Sequence, residues 1–192
     1  MITIIHKVNS IENLKKIPKN YGVELDIRNG PSGLLLSHEP SNEGTLFEEY
    51  LEEYNNELLV ANIKESGVED EAIRLIKNKN IENFFLLDVE FPYIYQNFEL
   101  NNQYLSSRFS KYESIESVEN LINKVQWLWV DTYSDFVIDS NCAEVMNNFK
   151  ICLVSPSRWG SPQLMDTYIK KFKNFSIKID AIMIENHEHF TT

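Results

Sequence analysis

The sequence predicts an α/β protein, a single compact (β/α)8 TIM barrel spanning residues 1–192. Three observations lead there. Apolar runs of strand length recur along the whole chain, amphipathic segments of helical length separate them, and 192 residues is near the lower limit of about 200 for such a barrel. An open doubly wound sheet is the rival. Against it, Ile5-His6-Lys7-Val8-Asn9 offers no glycine where a dinucleotide or Walker-type phosphate loop needs one.

Taken in order, Ile2 to Ile5 reads as the first strand, and Ile11 to Ile17 as a helix with Ser10 in the cap position. Val23 to Ile27 is the second strand, bounded by Gly22 and by Asn29-Gly30-Pro31, and a hairpin-like run, Gly33-Leu34-Leu35-Leu36, follows it. A helix is expected over Thr45 to Tyr54, then a strand over Leu58 to Ile63 and a helix over Glu69 to Lys79. Phe84 to Phe91 and Tyr104 to Phe109 are the next strands, with a weakly periodic helix over Ile94 to Asn101 between them. Ser114 and Ser140 stand as caps before helices over Ile115 to Val125 and Asn141 to Phe149, which flank a strand over Trp127 to Thr132. Ile151 to Ser155 and Ala181 to Glu185 complete the strands, and Pro162 suits the first turn of a helix reaching Phe175.

Composition narrows the function. Hydrophobic residues make up 43% of the chain, enough for one buried core. No apolar run approaches the roughly 18 residues of a membrane span. The start, Met1-Ile-Thr-Ile-Ile-His-Lys, lacks the features of a signal peptide, so a cytoplasmic protein is expected. Cys142 and Cys152 read as reduced structural thiols. A net charge of −11, from 18 basic and 29 acidic residues, argues against nucleic acid and anionic membranes as partners, because no basic stripe exists to neutralise phosphates. An anionic substrate would therefore need a local cation: a metal, a buried lysine or both.

The chemistry concentrates at strand ends, where a barrel places its active site. Glu24 and Asp26 alternate within the apolar run Val23-Glu24-Leu25-Asp26-Ile27, so both face one side of the strand. The first strand ends in His6, the hairpin-like run delivers His38, and the third strand ends in Asn62 and Lys64. Asp88 and Glu90, Arg108, Asp131 and Glu185 follow on later strands. So many ionisable groups at one mouth must pair or bind a cation, since an unpaired buried charge costs several kcal/mol. Each also has a plainer role. Asp131 and Glu185 could cap helices or pair within loops, Arg108 could neutralise Asp88 or Glu90, Lys64 could be a surface lysine, and a lone histidine is more often structural than catalytic. His187 and His189 have a metal-like spacing but sit in a terminal segment, where a flexible tail is the simpler expectation.

In that order the residues resemble the glycerophosphodiester phosphodiesterase and phosphatidylinositol phospholipase C-like superfamily of TIM-barrel phosphodiesterases. The resemblance rests on His6, Glu24-Leu25-Asp26, Ser37-His38-Glu39-Pro40, Thr45-Leu46-Phe47-Glu48-Glu49, Asn62-Ile63-Lys64 and Ser106-Ser107-Arg108-Phe109. It implies metal-dependent hydrolysis of a small soluble phosphodiester. Glu24 and Asp26 would hold Mg2+ or Ca2+, His6 and His38 would serve as general base and general acid, and Lys64 would stabilise charge on the phosphate. Three positions depart from the pattern. Lys7-Val8 replaces Arg-Gly after the first histidine, so the phosphate arginine is absent or supplied elsewhere, by Lys7 or Arg108. Asn62 replaces the third acidic metal ligand, leaving Asp88 or Glu90 as substitutes. The insertion after the second histidine is reduced to Pro40 to Gly44. Two other readings stand beside the diesterase: a catalytically inactive barrel that binds a phosphate-containing ligand, and a Schiff-base lyase using Lys64.

Overall fold

Runs that are apolar on both faces become parallel strands because only a sheet covered on both sides can bury them. The structure, a computed structural model, describes residues 1–185, so His187 and His189 lie outside the described residues. β1 (Ile2–Ile5) lies between β2 (Gly22–Gly30) and β10 (Ala181–Ile184), parallel to both. On one side β2 continues into β5 (Leu59–Ile63) and β6 (Phe84–Leu87). On the other, β10 continues through β9 (Lys150–Val154) and β8 (Trp127–Val130) to β7 (Ser106–Phe109). A parallel bridge between Leu86 and Leu105 joins β6 to the start of β7, and Ser106 Oγ donates to the Leu86 carbonyl at 2.7 Å. The ring is thereby closed, and the architecture is a TIM barrel.

A hairpin arm leaves this ring. β2 outruns the barrel and pairs antiparallel with β3 (Gly33–Leu36), Ile27 opposite Leu36, and the two-residue β4 (Thr45–Leu46) adds to β3. Among the described residues seven α-helices connect the strands: α1 (Ile11–Leu14), α2 (Phe47–Glu53), α3 (Glu69–Asn78), α4 (Phe91–Asn101), α5 (Ile115–Glu119), α6 (Ser140–Met146) and α7 (Met165–Asn174). Among the described residues, no helix is long and apolar enough to cross a membrane.

Several boundaries differ from the sequence expectation. The strand expected to reach Phe91 stops at Leu87, because Asp88 takes a left-handed φ of 60° and Pro92 fits the first turn of α4. Asp139, not Ser140, caps α6, its side chain accepting from the Cys142 N–H at 2.8 Å. Ser10 caps α1 as expected. Ser114 precedes α5 without a side-chain bond to it, and Pro162 opens a short 3-10 turn ahead of α7.

Side-chain alternation divides the interior. Outward residues such as Val23, Leu25, Leu59, Leu128 and Ile182 pack against the helices. Inward ones, including Ile4, Val60, Phe85, Trp127, Trp129, Cys152, Val154 and Met183, form a separate apolar cluster that fills the barrel. Above that floor the inward positions turn polar.

Candidate active site

Parity on β2 builds the site. Val23, Leu25 and Ile27 pack outward, so Glu24, Asp26 and Arg28 point inward at successive levels. Glu24 is wholly buried; its Oε2 accepts from the Lys7 backbone N–H and its Oε1 from Asn62 Nδ2, both at 2.8 Å. Lys7 can aim that N–H because it adopts φ 58° where the chain leaves β1. Asp26 is buried too. Its Oδ2 accepts from Asn9 Nδ2 at 2.8 Å, its backbone N–H donates to Asn9 Oδ1 at 2.9 Å, and its Oδ1 lies 3.2 Å from Lys64 Nζ. Asn62 stands directly beside Asp26 in the β2–β5 register.

His6 extends β1, its N–H donating to the Ile184 carbonyl at 3.0 Å. Its Nε2 is 3.7 Å from Glu24 Oε2, and its Nδ1 is 3.4 Å from Glu185 Oε1 and 3.0 Å from Arg158 Nη1. A guanidinium has only donors, so Nδ1 accepts from Arg158 in the tautomer with its proton on Nε2, whereas an Nδ1–H faces Glu185. Arg158 comes from the 3-10 turn Pro156–Trp159 after β9 and also donates to Glu185. Burial opposes charge on Glu185, but Arg158 and His6 together hold its carboxyl below the ordinary carboxylate range. His38 sits higher, at the rim, with Nδ1 2.6 Å from Glu39 Oε1.

Across the mouth, Arg108 makes a bidentate pair with Asp88, at 2.5 and 2.9 Å, and donates to Asp131. Burial opposes the Arg108 charge, yet these two carboxylates keep its pKa above the usual arginine value. Burial pushes the Asp131 carboxyl up, and Arg108 works against it. Asp131 and Glu185 therefore pair with arginines, and among the described residues neither caps a helix.

His6, Glu24, His38, Asn62 and Lys64, joined by Arg108 and Arg158, line one pocket of about 180 Å3. Asp26 lies just beneath Lys64. Asp88 and Glu90 do not line this pocket: Asp88 pairs with Arg108, and Glu90 is exposed, lining a separate cavity of about 200 Å3 with Lys64 and Asp88. β6 ends at Leu87 and the chain turns at Asp88 with φ 60°, so neither residue continues the inward register of Phe85 and Leu87. Among the described residues no three His, Cys, Asp or Glu side chains cluster as a preformed metal shell. Glu24, Asp26 and Asn62 nevertheless fit a hard cation by donor chemistry. All three carry oxygen; Asn62 Oδ1 is a buried acceptor that receives no hydrogen bond, and Asp26 Oδ1 has only its ion pair with Lys64.

Beyond Arg108 the mouth opens into a larger cavity of about 1010 Å3, lined by Asp88, Glu90, Phe91, Arg108, Tyr112 and Glu113 among others.

Two solved structures are similar over nearly the whole chain. One is a glycerophosphodiester phosphodiesterase from Agrobacterium tumefaciens, with TM-score 0.64, 10% identity, and coverage of 95% of this chain and 96% of that one. The fold is that of the glycerophosphodiester phosphodiesterases. The other, a glycerophosphoryl diester phosphodiesterase from Parabacteroides distasonis, has TM-score 0.58 and 13% identity, and covers 96% of this chain and 82% of its own. No family model matches the chain, and no curated protein does. At such identities the likeness to glycerophosphodiester phosphodiesterases is one of fold.

Four contributors to the site escaped the sequence reading: the Lys7 N–H, Asn9, Arg28 and Arg158. Arg28 was legible, because it has the parity of Glu24 and Asp26. Arg158 had a fainter signal, lying just past the strand end in Ser155-Pro156-Ser157-Arg158. Asn9 and the Lys7 N–H had none, since both depend on how the chain turns after β1.

Proposed function

We propose that the chain hydrolyses a small soluble phosphodiester, aided by Mg2+ or Ca2+ held by Glu24, Asp26 and Asn62. One observation carries the reading: His6 and His38 share a pocket with Lys64 and the buried Glu24 in a glycerophosphodiester phosphodiesterase fold. The pocket volume suits a phosphate group. In a chain of net charge −11 the phosphate needs cations close by, and Lys64 and Arg158 provide them.

In this mechanism the two histidines exchange protons with the reacting oxygens. One withdraws a proton from the attacking hydroxyl, and the other returns one to the departing alcohol. Lys64, held by Asp26, meets the negative charge that grows on the phosphoryl oxygens. The bound cation supplies Lewis-acid polarisation of a phosphoryl oxygen. Arg158 reaches the phosphate from the His6 side and so occupies the role left open by Lys7-Val8. The cavity beyond Arg108 receives the alcohol arm, and its Asp88, Glu90 and Glu113 carboxylates disfavour an anionic one.

The test is a panel of soluble phosphodiesters assayed with chelator-treated protein and with added Mg2+ or Ca2+. Metal-stimulated hydrolysis is expected, falling about 10²- to 10⁴-fold in His6→Ala and in His38→Ala while the circular dichroism spectrum holds. Wild-type rates in both mutants would sink the proposal. A second reading, a barrel that binds a phosphate-containing ligand without turning it over, is favoured by Asn62 standing where a third carboxylate would serve and donating to Glu24. It predicts saturable phosphate binding and no hydrolysis with either metal. A Schiff-base role is disfavoured because Lys64 is ion-paired with Asp26 and Asp88, not held as a free nucleophile in an apolar pocket.

A further inference from the structure

We infer that Arg28 is a positioning residue for this site, a guanidinium staple that holds the His38 loop against the strand end carrying Lys64. Its own strand places it there. Arg28 follows Glu24 and Asp26 at the same parity, one level higher, where β2 has outrun the barrel and carries the hairpin arm. The side chain is only 14% exposed despite lying at the rim.

The bonds it makes span two distant segments. Nε and Nη2 both donate to the His38 carbonyl, at 3.1 and 2.9 Å, while Nη1 donates to the Lys64 carbonyl at 3.2 Å. Glu65 braces the same guanidinium, its Oε2 3.5 Å from Nη1, while its Oε1 accepts from the Asn29 N–H. A planar fork of donors suits two carbonyls and a carboxylate in one plane; a lysine ammonium, a single compact point, does not. Among the described residues, the hydrogen bonds from the barrel to His38 itself are these two, because its ring pairs within the loop, with Glu39. The preceding tie is the Ser37 N–H to the Asp26 carbonyl at 3.0 Å. Lys64 has a backbone tie of its own, its N–H donating to the Ile27 carbonyl at 3.0 Å, and Arg28 is the side chain that links the two segments directly, carbonyl to carbonyl.

What that distance does rests on the proposed phosphodiesterase reading; the staple itself does not. Two arms keep them separate. In the first, amide hydrogen exchange without substrate is compared between wild type, R28A and R28K. In R28A, the Ser37 N–H, which is bonded to the Asp26 carbonyl, should exchange at least about tenfold faster while β9 is unchanged, with R28K intermediate. Unchanged exchange at Ser37 overturns the staple. If R28A fails to fold, R28K carries the comparison. In the second arm, R28A should lose about 10²-fold in kcat, with KM moved less than about threefold. Added guanidinium should restore part of that kcat, and none in His38→Ala. A loss confined to KM would make Arg28 a substrate-binding group and overturn the positioning role. If the wild-type protein turns over no phosphodiester, the functional reading fails and the exchange arm still decides the staple.

Discussion

Asn62 is the residue on which the cation chemistry turns. Its amide now donates to a wholly buried carboxylate, and its own oxygen receives no donor. Asn62→Asp would set a second carboxylate about as close to Glu24 as the present 2.8 Å bond. Two buried like charges repel, and the hydrogen bond lost from the Glu24 carboxylate was worth about 1.5–3 kcal/mol. The variant should therefore melt well below wild type in chelator and recover with Mg2+ or Ca2+, by a larger shift than wild type shows. A melting temperature indifferent to both ions would count against the cation site. At this scale the strand acids, the lysine and both histidines were legible, since alternation and strand ends are local properties. The two unforeseen arginines were not equally hidden: Arg28 obeys the parity of its strand, whereas Arg158 reaches His6 only because β9 and β1 flank β10 in the closed ring.

At the scale of elements, periodicity located every barrel strand and misjudged ends where cap and turn chemistry decides. β6 stops at Leu87 although Val89 and Phe91 continue an apolar pattern, because the Phe91-Pro92 pair begins a helix. The same turn brings Asp88 to Arg108 and leaves Glu90 exposed. Tight packing between elements makes Gly22 a sensitive point. A Cβ there would meet the Leu58 carbonyl oxygen at 2.8 Å and Ile4 Cγ1 at 3.1 Å, and that carbonyl already accepts the Val23 N–H. Gly22→Ala should lower unfolding free energy by about 1–3 kcal/mol in urea titration, by forcing β1 and β5 apart. A neutral or stabilising result would mean the strands yield more readily than their ladders imply.

For the whole molecule, the barrel interior has an apolar floor and a charged mouth. Phe85 stacks on Trp127 with centroids 4.6 Å apart, and Cys152 lies in the same floor with no exposed surface. Burial pushes its thiol well above the ordinary cysteine range, with Asp131 and Glu24 adding to the effect. In a Cys142→Ser background the remaining thiol should therefore react with a disulfide reagent only as fast as the barrel opens globally. Its labelling rate should rise in step with denaturant-induced destabilisation. Fast labelling of native protein would show that the floor opens locally.

Alternation and apolar run length by themselves determined the barrel class, the inward Glu24 and Asp26 pair, and the placing of His6, His38 and Lys64 at strand ends, because these follow from neighbours in the chain. Tertiary structure decided the partners: Asn62 and the Lys7 N–H on Glu24, Arg158 and Glu185 on His6, Arg28 between His38 and Lys64, and Arg108 on Asp88. Those pairings join segments that only ring closure and the turns after each strand bring together, and no local period encodes how those turns aim a side chain.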